Sequence, residues 1–359
     1  MAACSEALTG CWGNPSSLHD MGLKAEELLE KSRSRVAKKL GCSPDELFFT
    51  SGGTESNNTA LYGAANQLKR SGRRIVSTVI EHPSVYETLS RLENEGFEVI
   101  RLKVNGEGKI SESDLFEAVT QDTILVSVMA VNNEVGSIQP VSAARQAILR
   151  AHSPALLHCD GVQIFGKMPF RPSDYGIDLM SVSSHKIHGP KGAGALYIRK
   201  GVKISPRFFG GEQEGKLRPG TEALPAIAGF GAAAAALPDL KAEFDRAKEK
   251  RDYLVEKLKA VGGIEINSPA DALPFITNIS VLGRRSEPML SFLSENGVYV
   301  SSGSACSKGK KSRVLVEMGL GNERLESPLR ISFSRFTTFE EIDYLADCIA
   351  QARRIIRAK

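Results

Sequence analysis

From about residue 20 to residue 240 the chain alternates short apolar runs with longer amphipathic ones, and this alternation constrains its fold more than any other feature. The short runs are "ELFFT", "RRIVSTVI", "FEVIRLKV", "TILVSVMAV", "ALLHCD", "DLMSVS" and "GALYIRK", rich in β-branched residues and short enough to be strands. Between them lie helical stretches such as "PSVYETLSRLENEG" and "PVSAARQAILRA". Ahead of them, "LKAEELLEKSRSRVAKKL" sets Leu28, Leu29, Val36 and Leu40 on one face and stops at Gly41. Strand and helix in alternation form βαβ units, hence an α/β domain with a mostly parallel, mixed sheet covered by helices. In such a sheet the ligand sits outside the carboxyl ends of the strands.

The pattern changes after a long helical run, "LKAEFDRAKEKRDYLVEKLKAV", that ends at Gly262-Gly263. Beyond it come the expected strand "FITNISVL", a helix through "MLSFLSENG", the expected strands "VYVSSGSA" and "LRISFS", and a last helix opening on a capping box, Thr338 with Glu341. This reads as a small α+β domain. At 359 residues the chain is long for one core. The expected division is a large domain over 15–245, with 1–14 and 246–359 forming the small one.

Composition excludes several functional classes. A net charge of +4 over this length gives no concentrated basic face, which argues against direct nucleic-acid binding. No apolar stretch has the length of a membrane span, and the start "MAACSEALTGCWGNP" is no signal peptide. Six cysteines lie scattered without a CxxC pair, a usage that fits free thiols in a reducing, cytoplasmic setting.

The polar motifs gather at expected strand ends. "TSGGTESNN" follows a strand and opens a helix, so Gly53 and Thr54 stand where a backbone can approach an anion; by itself such a loop is more often a plain turn than a phosphate cup. His82 of "EHPSV" follows the next strand, at a place where a histidine is more often a helix-start or core residue than a catalytic one. "VNNEVG" carries Asn132, Asn133 and Glu134, either turn formers or hydrogen-bonding groups for a ligand. Asp160 ends the apolar strand of "LLHCDGVQ", where desolvation costs a carboxylate several kcal/mol, roughly, unless it is paired. No matching ligand cluster makes it a metal site; the alternative is a protonated ring nitrogen of a heterocyclic cofactor, with Gln163 in reach of the same ligand. In "SVSSHKIHGPKGAGALYI", Lys186 is a loop lysine, an anion binder with Lys191, or an amine kept from water and therefore nucleophilic. An imine-forming lysine, a carboxylate for the ring nitrogen and a phosphate cup are together the inventory that pyridoxal phosphate requires.

Nine segments then occur in order: "GNPSSLH", "FTSGGTESNN", "EHPSV", "VNNEVGSIQP", "HCDGVQ", "SSHKIHGPKGAGALY", "RPGTE", "SSGSACS" and "LRISFSRFTTFEEID". With them the chain resembles the cysteine desulfurases of the NifS/IscS type, within the class V aminotransferase family of PLP fold type I, from about residue 13 to its C-terminus. The resemblance implies a pyridoxal 5'-phosphate enzyme that converts L-cysteine to L-alanine and passes the sulfur to Cys306 as a persulfide, for iron–sulfur cluster assembly or thiolation. By the same resemblance Lys186 forms the imine with the cofactor, Asp160 pairs with the ring nitrogen and His82 stacks on the ring. Gln163 and Asn133 match ligands of the ring and its neighbourhood, and Gly53, Thr54, Ser183 and His185 match the phosphate site. Thr221 matches a residue that reaches the phosphate of a neighbouring subunit, which implies a homodimer. Arg330 matches the arginine for the substrate carboxylate, a task suited to a bidentate guanidinium, with Asn14 beside it.

Cys306 decides the reaction, because a thiolate is the sulfur-attacking species and nearby cations make it more available. Lys308, Lys310, Lys311 and Arg313 follow it closely, as a solvated loop or as a docking site for a sulfur-acceptor protein such as an iron–sulfur scaffold or a thiolation enzyme. The family's opening strand, with an Asp-Asn-Ala-Ala-Thr-Thr-like motif, has no counterpart before "GNPSS". Two alternatives therefore stand beside the desulfurase: a selenocysteine lyase or other class V lyase that does not need Cys306, and an inactive PLP-binding scaffold.

Overall fold

Strands buried on both faces carry no alternation of apolar and polar residues, and that is how the central runs of this chain are used. The computed structural model describes residues 1–303 and 311–357 and divides into two units. The first comprises 1–102, 112–130 and 140–240; the second comprises 103–111, 131–139 and 241–359.

The first unit holds a seven-stranded sheet: β1 (Leu47–Thr50), β2 (Arg74–Thr78), β3 (Glu98–Leu102), β4 (Thr123–Ser127), β5 (Leu156–Asp160), β6 (Leu179–Ser183) and β7 (Gly194–Ile198). Their order is β1-β7-β6-β5-β4-β2-β3. The neighbours β3, β2, β4, β5 and β6 run parallel, whereas β7 is antiparallel to both β6 and β1. Every residue of β4, β6 and β7 is buried. Its helices are α1 (Ala2–Thr9), α2 (Asp20–Leu40), α3 (Gly53–Leu68), α4 (Pro83–Asn94), α5 (Glu112–Ala118), α6 (Val141–Arg150) and α7 (Leu224–Ala235). α2 ends as the sequence predicts, on Gly41 in the left-handed region at φ 78°, where a side chain would be strained.

In the second unit α8 (Leu240–Val261), α9 (Ser286–Glu295), α10 (Arg313–Glu317), α11 (Asn322–Glu326) and α12 (Phe339–Ile355) accompany a sheet of β8 (Ile264–Ile266), β9 (Ile276–Val281) and β10 (Pro328–Ser332). The order β10-β9-β8 is antiparallel throughout. Leu254, Leu258, Ile279, Leu329, Ile342 and Ile349 form its core. α12 starts on the expected capping box, with Thr338 Oγ1 accepting from Glu341 N and Glu341 Oε2 accepting from Thr338 N.

Three expectations are corrected. Residues 1–14 belong with the first unit, because α1 lies on α7 so closely that a Cβ on Gly229 would stand 2.5 Å from Cys4 Sγ. Segments 103–111 and 131–139, expected inside the large domain, group with the second unit. The run from Val298 forms no strand among its described residues. It makes one bridge, Ser301 to Arg330, and then Ser301 Oγ donates to Gly303 O at 2.7 Å and turns the chain away. The three-residue β8 was not foreseen; "IEI" is too short for its alternation to register.

Candidate functional site

The strand directions bring one set of loops to one edge of the main sheet. β2, β4, β5 and β6 all end there, and because β7 is antiparallel its first residue, Gly194, pairs with both Ser183 at the end of β6 and Thr50 at the end of β1. The segments leaving this edge carry Gly53 and Thr54, His82, Asp160 and Gln163, and His185 and Lys186.

The glycine loop is shaped by close approach. A Cβ on Gly194 would meet Gly52 Cα at 2.6 Å, so the loop after β1 lies directly on the start of β7. A Cβ on Gly53 would stand 2.7 Å from Val162 Cγ2 and 3.8 Å from Ser183 Cβ, which puts this loop beside the ends of β5 and β6. α3 begins here without a side-chain cap, so the amides of its first turn have no intrahelical acceptor and point the positive end of the helix outward. Ser183 Oγ is 2.7 Å from His185 Nδ1. Burial, and then the charges of Lys186, Lys191 and Lys167, hold the His185 imidazole below its ordinary pKa. Uncapped amides, a serine hydroxyl and three ammonium groups around a neutral imidazole make a setting for a phosphate dianion.

Asp160 is 5 % exposed, and both of its oxygens are held: Oδ1 accepts from Val162 N at 3.0 Å and Oδ2 from Asn57 Nδ2 at 2.8 Å. Such bonds offset the desolvation of a buried carboxylate and fix its direction. Gln163 Oε1 accepts from Lys167 Nζ at 3.2 Å. His82 caps α4: its Nδ1 accepts from Ser84 N at 3.1 Å and lies 2.7 Å from Ser84 Oγ. Lys186 sits half-buried in the 3-10 turn Ser184–Ile187 that follows β6. The residues around this edge fit pyridoxal phosphate: a phosphate-sized anion cradle, an amine, and a buried, oriented carboxylate. Among the described residues, no group of three or more histidine, cysteine or acidic side chains is placed to hold a metal ion.

Other predicted residues lie elsewhere. Asn14 is exposed and its Oδ1 accepts from Ser16 N at 2.9 Å, the bond of a turn former. Thr221 is exposed on the loop before α7. That loop follows Glu214, a buried residue in the left-handed region at φ 46°, whose carboxylate takes Arg33 and the amide of Phe49. Cys306, Lys308 and Lys310 lie outside the described residues.

The second unit holds Asn133 and Arg330. Arg330 Nη1 donates to Asn133 O at 3.1 Å, while its buried Nε has no hydrogen-bond partner among the described residues. Burial lowers the pKa of this guanidinium and the charge of Glu134 opposes that. Glu134 is buried and accepts from Ser312 Oγ at 2.5 Å; burial pushes its carboxyl up, against the Ser312 bond and the charges of Arg330 and Arg313. A half-buried guanidinium whose Nε–H is unspent suits a planar carboxylate.

Sequence reasoning missed Asn57, Ser84 and the Arg33–Glu214 pair. Asn57 had a faint signal: it is a polar residue on the buried side of α3, beside Ser56 and Thr59, which are also buried.

Residues 1–345 match the family model described as aminotransferase class-V. A cysteine desulfurase IscS of Dictyoglomus turgidum is 39% identical over 343 residues, covering 94% of this chain and 86% of that protein. A putative cysteine desulfurase IscS 1 of Bacillus subtilis is 40% identical over 358 residues, with 95% and 91% covered. A solved NifS-like protein superposes with a TM-score of 0.93 at 38% identity, over 99% of this chain and 95% of that one.

Proposed function

The chain belongs to the class V aminotransferase family, and from that premise we propose that it is a pyridoxal phosphate-dependent cysteine desulfurase of the IscS/NifS type. The observation that carries the reading is the buried, doubly hydrogen-bonded Asp160 at the same sheet edge as Lys186 and the uncapped start of α3. When bound, pyridoxal phosphate supplies an electron sink that makes the Cα proton of an amino acid acidic.

The residues divide the work. Lys186 would be the amine that holds the cofactor, Asp160 would pair with its ring nitrogen and His82 would stack on its ring, with Gln163 and Asn133 as further ligands. Gly53, Thr54, Ser183 and His185 would take the phosphate. Arg330 binds the carboxylate of L-cysteine through two parallel N–H bonds, with Asn14 assisting. The Cys306 thiolate accepts the sulfur: the Cβ–S bond of the substrate breaks, a bond from Cys306 Sγ to that sulfur forms, and the carbon takes a proton, so that alanine leaves. The exposure of Thr221 suits a residue that serves a second subunit of a homodimer. The persulfide then goes to an acceptor protein of iron–sulfur assembly or thiolation. Among the described residues no helix is long and apolar enough to cross a membrane.

The test gives purified wild type and Cys306→Ala L-cysteine with a reducing thiol and quantifies sulfide and alanine. Equal amounts of both from the wild type, with the variant yellow and silent, support the reading. Undiminished turnover by Cys306→Ala sinks it in favour of a lyase that does not use this thiol, and a yellow wild type without products points to a scaffold.

A further inference from the structure

Asp160 and His82 belong to different elements, β5 and the start of α4, yet a continuous chain of hydrogen bonds joins them through α3. Asn57, 1 % exposed, spends both protons of its side-chain amide: Nδ2 is 2.8 Å from Asp160 Oδ2 and 2.8 Å from Ser84 Oγ. Ser84 Oγ is in turn 2.7 Å from His82 Nδ1.

The direction of each bond follows from the donor inventory. A carboxylate oxygen only accepts, so the amide nitrogen of Asn57 must face Asp160; the reverse orientation would set a carbonyl against a carboxylate. The second amide proton then falls on Ser84 Oγ, which must accept it, leaving the hydroxyl proton for His82 Nδ1. The main-chain N–H of Ser84 points at the same nitrogen from 3.1 Å. A ring nitrogen that accepts two bonds carries no proton, so neutral His82 is held as the Nε2–H tautomer. Asn57 makes these bonds at a cost, since its buried Oδ1 has no partner among the described residues.

We propose that Asn57 is a positioning residue that aims the Asp160 carboxylate and, through Ser84, fixes which nitrogen of His82 bears the proton. The importance of that control for catalysis rests on the desulfurase reading, in which His82 and Asp160 face one cofactor; the hydrogen-bond relay itself does not. In Asn57→Asp the new carboxyl shares one proton with Asp160 and takes the Ser84 hydroxyl proton, so that His82 Nδ1 loses the Ser84 Oγ donor and keeps the main-chain one. In Ser84→Ala the relay is cut at its middle link, and in Ser84→Thr the hydroxyl is kept.

The test is the nitrogen–proton correlation spectrum of the six histidines in protein labelled with 15N-histidine and purified with its cofactor, the His82 signals being identified by their loss in His82→Gln. The wild type and Ser84→Thr are expected to show His82 as the Nε2–H tautomer. Asn57→Asp and Ser84→Ala are expected to shift the tautomer ratio toward Nδ1–H by about fivefold, the worth of one neutral hydrogen bond. A ratio unchanged in a folded Asn57→Asp overturns the proposal; should that variant not fold, an unchanged ratio in Ser84→Ala does so. A shifted ratio in a protein that makes no sulfide would keep the relay and reject the desulfurase.

Discussion

The guanidinium of Arg33 and the carboxylate of Glu214, 181 positions apart in sequence, meet through two hydrogen bonds of 2.8 and 2.9 Å. Glu214 also accepts from the amide of Phe49, so one carboxylate ties α2, β1 and the segment leading to Thr221. Burial opposes the charge on Arg33, but the hydrogen bonds and charge of Glu214 outweigh it and raise the guanidinium pKa. With side chains only 11 % and 2 % exposed, the pair is shielded from water and salt. Removing either partner strands the other, so Arg33→Ala and Glu214→Ala should each lower stability by about 3–5 kcal/mol. Denaturant unfolding of the two variants and of the double variant checks this. The double variant should lose clearly less than the sum, since the two changes break one interaction.

Lys186→Ala should leave a folded protein that releases its cofactor on gel filtration and loses its yellow colour. Lys191→Ala should keep both. Retained colour in Lys186→Ala after desalting would transfer the amine role to the other lysine.

Asp160→Ala removes a buried charge that two N–H groups are built to hold. Turnover of L-cysteine should fall by about 10²–10³-fold, the scale for losing one preoriented electrostatic partner. Asp160→Glu, which keeps the charge but displaces the oxygens, should recover part of it. Steady-state alanine production measures both.

Arg330 offers an Nε–H that the described residues leave unspent. Arg330→Ala should raise KM for L-cysteine by roughly 10- to 100-fold, as expected when a charge-assisted bond of about 1.5–3 kcal/mol is lost. Arg330→Lys keeps the charge without the planar fork and should recover only part of the affinity. An unchanged KM in Arg330→Ala would remove this residue from substrate binding.

His158 gives a pH dependence with a definite sign. It is fully buried on β5, its Nδ1 2.8 Å from Ser127 Oγ and its Nε2 3.2 Å from Ser181 Oγ, and burial lowers its pKa from 6.5 to about 3. The unfolded chain takes up this proton near pH 6.5 and the folded chain only near 3, so the stability it protects is complete above that window and falls as pH drops through it. The expected slope is up to about 1.4 kcal/mol per pH unit. In His158→Gln, denaturation between pH 6.5 and 4 should lose that slope.

The sequence by itself determined the layers of this protein. Local periodicity marks the amphipathic helices and short unbroken apolar runs mark the buried strands, and a run such as "TILVS" carries that information without its neighbours. It also determined where chemistry could lie, since a polar residue that ends an apolar strand, as Asp160 does, stands out against its own surroundings. Tertiary structure decided what such residues touch. Nothing near Asn57 in sequence announces Asp160, and nothing near Arg33 announces Glu214; these bonds exist because separate elements converge in space. The membership of residues 1–14 was decided in the same way, by glycine on α7 admitting α1 at a distance that no local pattern records. Periodicity reports a residue's environment, whereas partnership depends on the packing of segments far apart along the chain.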